Sequence, residues 1–391
     1  MYNTTVEKQT ISFLQKLIQT PSVNGKKAEE EVVGVIAREA DKLKLPFQVY
    51  ESEKGRPNIF VGEDFNSNKN MLLVAHTDTV PPGDERKWTH PPFAGNISNN
   101  KIYGRGAIDC KGGIATSIYT IKNLYDQGHK RLAKFVGVAD EESGANSRIG
   151  LRYLLQKGLN AKGAVYTYGA KITDDTLTIG HRGLIRLWVT CHGESAHSGS
   201  LSWQQKKAGE SAIEGICKFL KESKHIKFSQ TNKYFPKYKY IATPTIIEGG
   251  NSESIVPTRA RVLIDIRTLP NNPQEEIIKK YNKLAKQLSG NKRSYEIKIK
   301  TQIPASLTNP DSKIISCAKD LYIQLKGKSP KLTGSGPANE GYMLINKNIP
   351  TIIGFGPIGN GFHSPDEYAE IDSLPYSIDF LTKLAIKLSS C

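Results

Sequence analysis

The chain lacks the features that would place it in several large protein classes. Its 391 residues contain no apolar run near the roughly 20 residues needed to cross a bilayer, so no membrane association is expected. Cysteine is scarce: Cys110, Cys191, Cys217, Cys317 and Cys391 are odd in number, widely scattered and never arranged as CxxC. That pattern suits free thiols in a reducing cytoplasm better than a disulfide framework. The opening residues, "MYNTTVEKQT", carry neither a basic n-region nor an apolar h-region, so no signal peptide is expected. Internal repeats and low-complexity tracts are missing as well.

Positive charge is in surplus. Lys and Arg number 54 against 38 Asp and Glu, a net charge of +16. This raises nucleic acid as a partner, and the stretch "KESKHIKFSQTNKYFPKYKY" (221–240) interleaves six Lys with aromatics that could stack bases. No helix-turn-helix, zinc-finger or RNP pattern accompanies it. A solvated, Lys-rich face is the simpler reading, and no nucleic-acid partner is expected. The same balance would favour an anionic substrate.

A chain of this length exceeds one ordinary core, so two domains are expected. Apolar positions near helical spacing predict helices over 3–20 and "AEEEVVGVIAREADKL". The short continuous runs "NIFVG", "MLLVAH" and "KFVGVAD" read as buried strands, with a helix, "GGIATSIYTIKNLYDQG", between the last two. Such strands alternating with helices indicate a mostly parallel sheet covered on both faces. From Gly183 the order becomes β-α-β-β-α-β, a split βαβ unit placed at 181–297. A helix, a buried strand ("PTIIGFG") and a last helix then return to the first pattern. The expected architecture is therefore an α/β domain formed by 1–180 and 298–391, with an α+β domain inserted at 181–297.

Ligands bind beyond the carboxyl ends of strands in parallel sheets. His76 closes one apolar run, and three consecutive carboxylates, Asp140-Glu141-Glu142 in "VADEESG", close another. Crowded carboxylates repel unless something strongly positive faces them. "AHTDTV" adds Asp78, placed to fix the His76 ring; "YGRGAIDCKGG" adds Asp109 in a Gly-rich turn; "GFHSPDEY" adds His363. Imidazole and carboxylate ligands without thiolate suit zinc, cobalt or manganese in a hydrolytic site. Of two adjacent carboxylates, one can bind the metal while the other accepts a proton from water.

These segments resemble those of the M20 family of metallopeptidases and amidohydrolases, which includes acetylornithine deacetylase, succinyl-diaminopimelate desuccinylase, aminoacylase and glutamate carboxypeptidase. The matching motifs are "LLVAHTDTVPPGD", "WTHPPFAGNISNNKIYGRGAIDCKGG", "VADEESG", "GHRGLIRLWVTCHGESAHSG", "IEGGNSESIVPTRARVLIDIRTLP" and "IPTIIGFGPIGNGFHSPDEY". They occur in the family's order over nearly the whole chain. The resemblance implies a zinc-hydrolase α/β domain with an inserted lid and dimerisation domain, and hence a homodimer. It implies that His76 binds one metal, Asp109 bridges two, Glu142 and His363 bind the second, and Glu141 is the general base. His197 would be the lid histidine that serves a partner subunit's active site and stabilises the tetrahedral intermediate. Arg267 would grip a substrate carboxylate.

The family pattern breaks at one ligand. Where another carboxylate for the first metal is expected, matching the glycine of "YTYGAKITDD" places Ala170, followed by Lys171. Asp174 or Asp175 could substitute in a rearranged loop, or could cap a turn before the strand "LTIG". Ser254 stands where the family commonly has Asn. One zinc is therefore expected and a second is open. The implied activity is hydrolysis of an amide bond in a small N-acyl amino acid or dipeptide. The alternative is a homologue that has lost catalysis and binds a ligand or partner. "GPANEGY" (336–342) is expected at the substrate pocket.

Overall fold

The apolar runs form the middle of a six-stranded sheet in a computed structural model that describes residues 4–25, 28–169 and 175–390. The strands lie in the order Phe47–Tyr50, Asn58–Val61, Ala133–Val138, Met71–His76, Gly163–Tyr166, Thr351–Ile352. Every residue of Met71–His76 and Ala133–Val138 is buried, as expected for strands covered on both faces. The pairs from Ala133–Val138 to Thr351–Ile352 are parallel. "NIFVG" departs from the parallel expectation: Asn58–Val61 is antiparallel to both of its neighbours. The connection from Tyr50 to Asn58 is too short for a crossover, which leaves a hairpin as the only way to pair those strands.

The described chain divides into two compact units. One holds Met1–Gly180, Leu307–Thr333 and Asn339–Cys391; the other holds His181–Ser306 and Gly334–Ala338. The second unit extends beyond the expected 297 because its last strand, Ser294–Ile303, continues pairing along Gly183–His192 as far as Ile303. The segment 336–342 is divided between the units, with Asn339 onward in the first. No helix among the described residues is long and apolar enough to cross a membrane.

The second unit is an antiparallel sheet ordered Ile241–Gly249, Arg259–Thr268, Gly183–His192, Ser294–Ile303. Alternation decides its faces. Ile185, Leu187, Val189 and Cys191 share a core with Ile216 and Phe219 of the helix Ala212–Ser223 and Ile277 and Tyr281 of the helix Gln274–Leu288.

Candidate metal centre

His76 is the last residue of its strand and pairs with Val138, the last residue of the neighbouring one. The strands are parallel, so His76 and the acidic turn leave the sheet at the same edge. The turn itself is set by Asp140, whose backbone is left-handed at φ 66°. Asp109 arrives on the loop before the helix Gly112–Asp126. Two glycines make that loop possible. Gly106 has φ +85°. A side chain on Gly113 would bring its Cβ within 1.5 Å of the Thr167 carbonyl oxygen, so the helix approaches this closely only without one.

Asp78 organises the site through both its side chain and its backbone. Its carboxylate accepts the N–H groups of Glu141 at 3.1 Å and Glu142 at 2.9 Å, and the Asn24 amide at 2.6 Å. The His76 ring is held by the Asp78 carbonyl, 2.8 Å from Nδ1, rather than by the carboxylate, which lies 3.6 Å away. The two turn amides have claimed that carboxylate.

The geometry then poses a problem that a cation solves. A carbonyl only accepts, so the His76 proton sits on Nδ1 and Nε2 of a neutral ring carries a lone pair. That lone pair faces Asp109 Oδ1 at 3.0 Å, acceptor against acceptor. His363 Nε2 lies 3.3 Å from Asp109 Oδ2 and 3.3 Å from Glu142 Oε1. Glu142 Oε1 is buried without a hydrogen bond. Ligand atoms of His76, Asp109 and Glu142 all lie within 4.8 Å of one another. Two imidazole nitrogens converging on two carboxylates, one of which lies between both rings, is a donor set that fits a divalent ion.

The electrostatics express the same demand. The facing carboxylates of Asp109 and Glu142 push His363 up to about 10. Burial opposes a charged His76, yet Cys110, Asp109 and Asp78 raise it well above the usual imidazole range. Burial pushes the Glu141 carboxyl well above the carboxylate range, with Glu142 and Glu340 adding to the shift and His76 opposing it. A carboxyl shielded this way has the character of a group that can take and return a proton.

The remaining sequence candidates fall elsewhere. Ala170, Lys171 and Asp174 lie outside the described residues. Asp175 accepts the Tyr322 hydroxyl at 2.6 Å and pairs with Lys328, in the turn before the strand Thr176–His181. His197 and Arg267 belong to the second unit. His197 is exposed, its Nδ1 accepts the Gly199 N–H at 3.1 Å, and a neutral ring therefore presents Nε2–H as a donor. Ser254 uses its carbonyl to hold the Ser198 N–H at 2.9 Å, beside that histidine. Arg267 donates to Asp265 at 2.7 Å, and its side chain remains 33% exposed.

Sequence reasoning missed the residues that brace the centre. Arg56 bridges Glu29 and Asp140. Glu340 is fully buried, and burial followed by the nearby Asp78 pushes its carboxyl up to about 8. Glu367 accepts four hydrogen bonds from residues 105–109. Only the acidic character of "HSPDEY" hinted at the last.

Residues 72–387 match the model of Peptidase family M20/M25/M40. The chain belongs to this family. It is 28% identical over 341 residues, 82% of this chain and 81% of the relative, to an uncharacterized metallohydrolase of Methanocaldococcus jannaschii. Among solved structures it resembles a tripeptidase from Staphylococcus aureus, with TM-score 0.76, 20% identity and 100% of both chains covered. It also resembles a dinuclear metal-binding peptidase of the M20 family from Bacillus subtilis, with TM-score 0.72, 15% identity and 98% of each chain covered. At these identities the two structural likenesses speak for the fold. Membership of the M20 family makes this chain a metal-dependent peptidase or amidohydrolase that uses a divalent ion.

Proposed function

We propose that this M20 protein hydrolyses an amide bond in a small substrate bearing a free carboxylate, an N-acyl amino acid or a dipeptide. The observation that carries the reading is the pair of imidazole Nε2 atoms facing Asp109 and Glu142, at 3.0 to 3.3 Å, beside a buried Glu141. His76, Asp109, Glu142 and His363 would hold the ion, with zinc as the first expectation and cobalt or manganese as substitutes. Bound there, the ion would polarise the scissile carbonyl and lower the pKa of the attacking water.

The chain's own groups do the rest. Glu141 accepts the proton of the attacking water and delivers it to the amine nitrogen as the C–N bond breaks. Burial suits it to that exchange, because it raises the carboxyl's hold on a proton well above that of an ordinary carboxylate. By the family resemblance, His197 would present an N–H to the oxyanion developing in a partner subunit's active site, and Arg267 would take the substrate carboxylate. The inserted unit serves as lid and dimerisation domain, so the working form is a homodimer.

Ala170 and Lys171, where the family places a carboxylate, favour occupancy by one ion and lend some weight to a second reading, ligand binding without turnover. The retained Glu141 opposes that reading, since a binding protein has no need of a proton acceptor there. The test is a panel of N-acyl amino acids and dipeptides assayed with added zinc, cobalt or manganese, on wild type beside Glu141→Gln. Turnover by wild type that collapses in the variant supports hydrolysis. Inactivity with every metal, together with tight binding of a panel member, would overturn it.

A further inference from the structure

Glu367 follows His363 by four residues and is fully buried. Its Oε2 accepts Arg105 Nη1 at 2.6 Å and the Gly106 N–H at 3.0 Å. Its Oε1 accepts the N–H groups of Ile108 at 3.0 Å and Asp109 at 3.1 Å. One carboxylate thus gathers four donors from the loop that carries Asp109. The backbone adds to the join: Gly104 N–H donates to the Glu367 carbonyl at 2.9 Å, and Tyr368–Glu370 pairs with Lys101–Tyr103. Next door, Asp366 accepts the backbone N–H and the hydroxyl of Thr89, each at 2.8 Å.

We propose that Glu367 is the positioning residue of the metal centre, holding the Asp109 loop and the His363 loop in register so that their ligand atoms face each other. The inference rests on the reading that His76, Asp109, Glu142 and His363 bind the ion. Asp109 sits in a stretch of non-helical backbone, φ −125° and ψ 80°, just before a helix. Neither Ile108 nor Asp109 has a carbonyl of its own loop as amide partner; both amides point to Glu367. Four donors on one buried anion make a rigid joint, because losing the acceptor would strand a guanidinium and three amides away from water. The joint reaches the ligands from both sides: Asp109 is one of the residues it binds, and His363 lies one short turn earlier on the same segment. Glu367 makes no contact with the His76 or Glu142 ligand atoms in the hydrogen-bonding pattern, so its effect passes through Asp109 and His363.

The test measures metal binding itself. Apo wild type, Glu367→Gln and Glu367→Asp are titrated with zinc against a chelator of known affinity, and the absorption spectra of their cobalt forms are compared. Thermal unfolding in chelator reports how far each apo chain is folded. Gln keeps the length but offers one accepting oxygen, so zinc affinity should fall about 10- to 100-fold and the cobalt spectrum should change. Asp restores the charge at shorter reach and should recover part of the affinity. A variant that is less stable in chelator, yet binds zinc with wild-type affinity and an unchanged cobalt spectrum, would overturn the proposal, since a purely structural role predicts that result. Wild type that takes up no ion would instead overturn the reading of the centre, and this inference would fall with it.

Discussion

The carboxylate of Asp78 holds the backbone of Glu142, accepting its N–H at 2.9 Å, while the backbone carbonyl of Asp78 orients the ring of His76. One residue thus fixes two candidate ligands, one at the end of a strand and one in the turn after its neighbour. Replacing Asp78 with Asn leaves the carbonyl in place but puts a donor where two turn amides and the Asn24 amide already point. His76 should remain oriented while the Glu141–Glu142 turn loosens. We expect kcat/KM to fall about 10- to 100-fold, as is usual when a partner of a metal ligand is lost. Steady-state kinetics with zinc in excess check this; an unchanged kcat/KM would show that the turn holds its shape without Asp78.

Glu141 and Glu142 are adjacent but should fail differently. Glu141→Gln removes the proton acceptor without touching a ligand atom, so kcat should drop about 10²- to 10⁴-fold with metal content unchanged. Glu142→Gln should lose metal as well as rate. Elemental analysis by mass spectrometry on both purified variants, beside their kinetics, separates the two roles. Equal metal loss in both would contradict the division of labour.

Metal removal should cost stability as well as activity. Without a cation, Asp109 faces the lone pair of His76 Nε2 and shares the neighbourhood of His363 Nε2 with Glu142, a crowding that a bound ion would relieve. Wild type treated with chelator should therefore unfold at lower temperature than the metal-loaded form. Zinc should restore the midpoint with saturation near one ion per chain, since a ligand bound only to the native state stabilises it. Two tightly held ions would mean that the carboxylate missing at Ala170 is supplied from elsewhere in the chain.

Part of this cluster's placement was legible in the sequence because His76 and Asp140-Glu141-Glu142 are polar residues that close apolar runs. His76 and the turn after Val138 could be placed at one sheet edge from strand order alone, and the helix Gly112–Asp126 from its periodicity. Three things were not legible. Antiparallel pairing of Asn58–Val61 depends on the length of a connection, not on the strand's composition. The hold of Asp78 on the turn and of Glu367 on the Asp109 loop runs through backbone amides, which every residue offers and no motif marks. Glu340 looked like one more polar residue in "GPANEGY", because burial is a property of the fold around it.

Glu340 gives the molecule a pH dependence whose direction can be worked out. The carboxyl is fully buried, neither oxygen has a partner at full hydrogen-bonding geometry, and the Ser147 N–H opposes the shift without reversing it. Burial first, then Asp78, lifts it from an ordinary 4.5 to about 8. Between those values the native chain keeps a proton that the unfolded chain has released. The native state therefore binds more protons there, and unfolding free energy falls as pH rises. The contribution is fully present below the unfolded pKa and is lost as pH climbs through about 8, where the folded carboxyl finally ionises. Glu340→Gln removes the titration while nearly preserving shape. Its stability relative to wild type should rise steadily from about pH 5 to about pH 8 and level off above that, when both chains are unfolded by urea in the same chelating buffer. Parallel pH profiles for the two chains would show that Glu340 already ionises in the native state at low pH, with the Ser147 N–H as its donor.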